Sequence, residues 1–298
     1  MGLNDLMPGL ALSHVDRPGR RLRFLTAGHG VPPILLIAGA GETALDWLPI
    51  LASVAELSTV VALDRAGLGF SDPAADLTVA SQVEDVAAVL AEVGPAVLVG
   101  HSWGGLLAQL VAGRHPASVA GLVLVDPSHE ELFAELPWHL RVASAALGPT
   151  ATLAHTLGLF TRLVRPMGRR LAERSTEDPR QRAAVEEAYL AAYRRRDQVR
   201  MIGRENRLAA RSHRFLREAR AQANPPDVPA VVLTATTGKP PALQRRSAEL
   251  HAAVAAALPG GRNIVVEDSG HYIHHDRPDA VVAAISSVLA ELPSRPER

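Results

Sequence analysis

A serine between glycines, Gly100-His101-Ser102-Trp103-Gly104, is the stretch of this chain best equipped for chemistry. It fits G-x-S-x-G, a pattern in which a strand turns sharply into a helix and leaves the serine hydroxyl exposed at the turn. The flanks supply that context. Ala96-Val97-Leu98-Val99 is a short apolar, β-branched run that reads as a buried strand, and Leu106 to Ala112 reads as a helix ending near Gly113. Glycines at 100 and 104 let the two backbones close around a strained residue.

A serine hydroxyl is a weak nucleophile at neutral pH. It needs a base to take its proton and a third group to orient that base. Of the 12 histidines, His271 in Ser269-Gly270-His271-Tyr272 is the expected base, because it follows the last apolar strand and so reaches the same sheet edge as Ser102. The expected acid is Asp126, at the end of the apolar run Gly121 to Val125. The run at 231–233 is followed by Thr234-Ala235-Thr236-Thr237-Gly238-Lys239-Pro240, which offers no carboxylate. A strand-end aspartate also caps turns through its own backbone, so Glu130 stands as the alternative. Two backbone N–H groups are needed to face the developing oxyanion. Trp103, following the serine, and Ala40, in the Ala38-Gly39-Ala40-Gly41 turn, are the expected donors. His274 and His275 could suggest a metal cluster, but Asp276 is the one carboxylate beside them at ligand spacing, and no metal is expected there; His101 and His29 read as local hydrogen-bond partners or exposed.

The elements that position these residues alternate. Strands are predicted at 21–26, 34–37, 60–63, 96–99 and 121–125. Helices are predicted at 43–57, with Thr43 as a possible cap, and at 77–93, where Val79, Val83, Val86 and Leu90 fall at helical spacing. Such alternation argues for a parallel sheet covered by helices on both faces. From about 128 to 224 the pattern becomes helical, with no convincing strand, until Asn224-Pro225-Pro226-Asp227 marks a linker. Strands resume at 229–233 and 263–266, and a final helix is predicted at 279–292 before a frayed tail, 293–298. Residues 1–126 and 225–298 therefore read as one core, and 127–224 as a helical cap (lid) inserted into it.

Composition narrows the classes. With 298 residues, 47% of them hydrophobic, the chain can bury a large core without staples. It has no cysteine, which removes disulfides, thiol nucleophiles and thiolate metal sites and fits a reducing compartment. Met1 to Leu12 lacks the basic and apolar regions of a secretory signal, and no apolar run is long enough to span a membrane. The expected location is cytoplasmic. The formal net charge is zero, yet 141–220 holds 18 arginines and no lysine against 8 acids. Without interleaved aromatic residues this excess reads as a solvated helical face, and no nucleic acid is expected.

These residues together resemble the α/β-hydrolase superfamily, in its lidded serine hydrolase branch. The carrying segments are Gly39-Ala40, Asp64-Arg65-Ala66-Gly67-Leu68-Gly69-Phe70-Ser71-Asp72, the stretch around Ser102, and Gly270-His271 with Asp276, Arg277, Pro278 and Asp279. The resemblance covers nearly the whole chain. It implies an α/β fold with a mostly parallel eight-stranded sheet and a helical cap, and the triad Ser102, Asp126 and His271. It also places the Asp64–Asp72 turn beside the site in a mainly structural role. Two features depart from the family pattern. Ala38-Gly39 stands where many members have His-Gly, and the acid lies one strand earlier than in many members. The haloalkane-dehalogenase-like branch gives the precedent for the earlier acid. Its dehalogenases, like the epoxide hydrolases, carry an aspartate at the elbow, so serine at 102 argues against both activities.

The expected function is hydrolysis of an ester or related acyl bond of a small molecule through an acyl-enzyme, with no cofactor. A C–C bond hydrolase or lyase using the same triad, or a receptor derived from a hydrolase, are the alternatives. The cap is expected to wall the substrate pocket, with Leu132, Phe133, Leu136, Trp138, Leu157 and Phe160 as candidate lining; plain packing against the sheet competes for each of them. Substrate identity and oligomeric state are open at this stage.

Overall fold

A computed structural model describes residues 2–135 and 138–293, in the chain order β1 (Ala11–Arg17), β2 (Arg20–Ala27), β3 (Ile34–Ile37), α1 (Leu48–Leu57), β4 (Val60–Leu63), α2 (Val79–Val93), β5 (Ala96–His101), α3 (Trp103–Arg114) and β6 (Val119–Val125). Six helices follow: α4 (Glu130–Glu135), α5 (Trp138–Thr156), α6 (Phe160–Ser175), α7 (Pro179–Arg194), α8 (Arg196–Arg211) and α9 (His213–Ala221). The chain then completes β7 (Ala230–Ala235), α10 (Pro241–Ala257), β8 (Gly261–Val266), α11 (Ile273–Asp276) and α12 (Pro278–Ala290). Leu136 and the tail 294–298 lie outside the described residues.

The eight strands form one sheet in the order β1-β2-β4-β3-β5-β6-β7-β8. Pairing is parallel from β4 through β3, β5, β6 and β7 to β8, and antiparallel for β1–β2 and β2–β4. The central strands are apolar at every position because both faces are covered. In β3 all four residues are fully buried. Ile34 and Leu36 face one core with α1 and α12, whereas Leu35 and Ile37 face the other with α2 and α3. The two cores are thus filled by alternate residues of the same strands.

Several element boundaries differ from the sequence reading for local reasons. β1 was not expected. It is an edge strand that buries few side chains, and the Pro18-Gly19 turn that folds it back on β2 was its only signal. The first predicted helix splits into a short 3₁₀ turn at Ala44–Trp47 and α1. Asp46 Oδ2 closes the start of this turn by accepting from Thr43 N–H at 2.9 Å and from the Thr43 hydroxyl at 3.2 Å. α3 begins at Trp103 rather than Leu106, since the Gly104-Gly105 pair is helical and not part of the turn. Among the described residues, no helix is long and apolar enough to cross a membrane.

Candidate active site

The turn from β5 into α3 is possible only with glycine at its contacts. A Cβ on Gly104 would stand 2.0 Å from the carbonyl oxygen of Ile37, and one on Gly100 would stand 2.5 Å from that of Gly104. Between them Ser102 takes φ 50° and ψ −116°, a conformation that costs a non-glycine residue about 1–3 kcal/mol. Packing of α3 against β3 and β5 holds it there. The hydroxyl sits at the carboxyl edge of the sheet and lines a cavity.

Three distant segments meet at this edge. His271 Nε2 lies 3.0 Å from Ser102 Oγ, and His271 Nδ1 lies 2.6 Å from Asp126 Oδ2. An ionised carboxylate can only accept, so Nδ1 carries the hydrogen and Nε2 is left to accept from the serine. Burial would raise the Asp126 carboxyl, but the hydrogen bond from His271 and the charge of Lys239 hold it well below the usual range. Asp126 is fully buried and has φ 40°, with Ala235 N–H donating to its Oδ1 at 3.2 Å. Glu130, the alternative acid, is elsewhere. Arg220 donates to both its oxygens, at 2.6 and 3.0 Å.

The loop after β3 is tied at each flank of Ala40. Glu42 Oε2 accepts from Gly39 N–H at 2.6 Å, and Glu205 of α8 accepts from Gly41 N–H at 2.7 Å. Arg65 donates to the carbonyls of Ala38 (2.5 Å) and Gly39 (2.7 Å), and pairs with Glu205 through Nε (2.9 Å) and a second nitrogen (2.7 Å). Arg65 and Glu205 are buried, at 2% and 0% side-chain exposure. Their pairing locks the loop to the helices that follow β6. Among the described residues, the N–H groups of Ala40 and Trp103 make no hydrogen bond. For Trp103 this follows from its place at the first position of α3, where an N–H has no partner in its own helix and the helix dipole is positive.

A second buried pair lies behind the ring of His271. His101 Nε2 faces the backbone carbonyl of His271 at 2.9 Å, so it must donate; its Nδ1 faces Glu42 Oε2 at 2.9 Å. Burial opposes charging both groups. Their mutual attraction nonetheless lowers the Glu42 carboxyl and raises the His101 imidazole, giving an imidazolium–carboxylate pair. His274 joins Glu42 and His101 in a group whose ligand-type atoms lie within 4.8 Å of one another. Two of the three are already committed to each other at 2.9 Å, closer than two ligands of one zinc ion stand, and we read the group as an ion pair beside a neutral histidine. His29 is exposed.

The cavity above Ser102 measures about 570 Å³. Its lining corrects the sequence reading. Of the five described residues among the six expected to line it, only Phe160 does. Leu157 and Trp138 point to solvent, at 62% and 76% exposure, Phe133 packs against Trp103, and Leu132 does not reach the cavity. Leu136 lies outside the described residues. The walls come instead from Leu147, Ala151 and Ala154 of α5, Leu163, Val164 and Met167 of α6, and Tyr189 and Tyr193 of α7. Apolarity alone does not tell which face of α5 turns inward. Sequence reasoning also missed Glu42, Glu205 and Lys239. Each acts through a partner far away in the chain, and no local pattern marks it.

The model of the Alpha/beta hydrolase family matches residues 34–284. The chain belongs to this family. Its eight-stranded, mostly parallel sheet is the family fold, and the crystal structure of ALR0039 from Nostoc sp PCC 7120 shares it, with a TM-score of 0.74 over 95% of this chain and 98% of that one at 21% identity. Lipase LipV from Mycobacterium tuberculosis is 38% identical over 101 residues, covering 33% of this chain and 38% of the lipase. Epoxide hydrolase 4 from Mus musculus is 32% identical over 123 residues, covering 39% of this chain and 34% of that protein. The chain thus spans well under half the length of these two curated relatives.

Proposed function

We propose that this member of the family is a serine hydrolase of neutral, largely apolar esters. The observation that carries the reading is the His271 ring, within hydrogen-bond reach of Ser102 Oγ on one side and Asp126 on the other. Ser102 Oγ attacks the ester carbonyl as its proton passes to His271 Nε2, and the carbonyl electron pair moves onto oxygen. The N–H groups of Ala40 and Trp103 receive that oxyanion. The imidazolium then gives its proton to the leaving alcohol. His271 next activates water, which releases the acid from Ser102.

The segment α4–α9 acts in this reading as the lid, since α5, α6 and α7 supply most of the apolar wall. Among the described residues the lining contains no arginine or lysine; its ionisable side chains include Glu42, Asp46, Tyr189 and Tyr193. Burial raises Asp46 to about 7, which fits a compartment unfriendly to added negative charge. A free carboxylate or phosphate finds no arginine or lysine in this lining among the described residues, which favours neutral acyl chains; Arg170 and Arg174 line an adjoining cavity that also reaches His271. Epoxide opening through an alkyl-enzyme ester uses a carboxylate at the elbow in the dehalogenase-like branch, and position 102 is serine.

Turnover of a p-nitrophenyl ester series tests the reading. Hydrolysis is expected for acyl chains of intermediate length, and Ser102→Ala is expected to abolish it. No turnover of any neutral ester by the wild type would remove the ester assignment and favour a C–C hydrolase, a lyase or a receptor. The acid is tested separately. Asp126→Asn is expected to lower kcat by about a hundredfold or more, because the amide holds the wrong tautomer of His271. Glu130→Gln stays near wild type. If Glu130→Gln is the damaging change, Asp126 is not the acid.

A further inference from the structure

Asp126 holds one more charged partner than a carboxylate needs to orient a histidine. The Lys239 ammonium donates to the same oxygen, Oδ2, that accepts from His271, at 2.7 Å against 2.6 Å. Lys239 is also the sole lysine among the 31 Lys and Arg residues of the chain. A guanidinium would engage both carboxylate oxygens with its planar fork. An ammonium is a point charge that occupies one lone pair. It leaves the other lone pair of Oδ2 to the imidazole and Oδ1 to Ala235 N–H. The loop between β7 and α10 presents it from a largely buried position, with 17% side-chain exposure.

We propose that Lys239 is a positioning residue that offsets the charge of Asp126, so that the resting site is electrically balanced and the His271 ring becomes cationic only when an oxyanion forms beside it. The proposal rests on the serine hydrolase reading of the site. The charged and titratable groups around His271 and its partner Asp126 come from six parts of the fold. Asp126 directly follows β6, and the loop after β7 brings Lys239. β5 ends at His101, whose ring centre lies 4.7 Å from that of His271, and the loop after β3 brings Glu42. Tyr272 and His274 flank the ring on its own segment. α10 places His251 Nδ1 3.7 Å from Asp126 Oδ1, where burial lowers the imidazole to about 4 and keeps it neutral.

The balance of this ring is simple. Asp126 is matched by Lys239, and Glu42 by His101. A proton on His271 in the free enzyme would have no partner among these two pairs; Asp46, which burial raises to about 7, lines the same cavity. Burial, with the charges of His101 and Lys239, accordingly holds His271 below its ordinary value despite the hydrogen bond it donates to Asp126. When Ser102 attacks, the proton moves from Oγ to Nε2 as the Oγ–C bond forms, and the carbonyl pair becomes the oxyanion. The new cation and the new anion arise together and match each other. Stabilisation of this kind is confined to the transition state and raises kcat rather than substrate affinity.

The test is the pH dependence of kcat/KM for a neutral p-nitrophenyl ester in wild type, Lys239→Met and Lys239→Arg. The acid limb reports protonation of the base in the free enzyme. Removing the positive charge raises the affinity of His271 for a proton, so Lys239→Met is expected to move that limb to higher pH by about one unit. Lys239→Arg keeps the charge and is expected to keep the limb in place even if the plateau falls. A Lys239→Met enzyme that loses activity equally at every pH, with an unmoved limb, would overturn the proposal and leave Lys239 a structural tie. Should the methionine variant fail to fold, NMR titration of the His271 ring in wild type and Lys239→Gln decides: a higher midpoint in the glutamine variant is expected, and an unchanged midpoint refutes the proposal. Fluorophosphonate labelling of the wild type runs alongside. Loss of labelling there sinks the hydrolase reading itself, whereas the ring titration still judges Lys239.

Discussion

Replacing His271 by alanine is expected to lower ester turnover by at least about a thousandfold, with little change in stability. The ring is the only described group within reach of both Ser102 and Asp126, so its removal leaves the serine proton without an acceptor. It also leaves Asp126 paired with Lys239 alone, a compensated charge, which is why the fold should tolerate the change. Oxyanion donors and the cavity remain, and they sustain the residual rate. Steady-state kinetics with a thermal melt of the same variant check both parts. Near-normal turnover in a folded His271→Ala protein would remove the histidine from the mechanism.

The second large effect concerns stability. Arg65→Met is expected to destabilise the protein by about 3–5 kcal/mol, because Glu205 would be left buried, at 0% exposure, without its cation. For a chain of this size that corresponds to a fall in Tm of roughly 10 °C. The double variant Arg65→Met/Glu205→Met separates two contributions. A buried ion pair replaced by apolar side chains of similar volume is often near neutral in stability, so much of the Tm should return. Activity should not return. Arg65 and Glu205 together make five of the hydrogen bonds that hold the Ala40 loop: two donated to carbonyls, one accepted from Gly41 N–H, and the two of the pairing itself. A double variant that regains full activity along with its Tm would show that this pair does not position the oxyanion loop.

Much of the sheet was legible because buried parallel strands are short, continuously apolar runs, as in Ile34–Ile37 and Val60–Leu63. Ser102 was legible through its glycines, since the tight approach of Gly104 to Ile37 leaves a mark at fixed spacing. His271 and Asp126 followed from where strands end, and the structure brings both to Ser102. The three buried charge pairs escaped notice for one common cause. Arg65–Glu205, His101–Glu42 and Asp126–Lys239 join residues 140, 59 and 113 positions apart, and charge pairing over such separations leaves no periodic trace. β1 escaped because an edge strand with half-exposed side chains has little apolar pattern to read. The lining of the cavity escaped because α5 is apolar on more than one face. Leu147 lines the cavity, whereas Leu153 and Leu157 of the same segment are 60% and 62% exposed.

A nearby hydroxyl makes the decisive measurement a mapping experiment. Ser128 Oγ lies 3.3 Å from Ser102 Oγ, so a hydroxyl-directed reagent meets two alcohols at one edge. Only Ser102 lies within reach of His271 Nε2 in this structure, and the elbow geometry is its own. Reaction of the wild type with a fluorophosphonate, followed by peptide mass mapping, should give a single adduct on Ser102 that vanishes in Ser102→Ala. An adduct on Ser128, or undiminished labelling of the Ser102→Ala protein, would contradict the account.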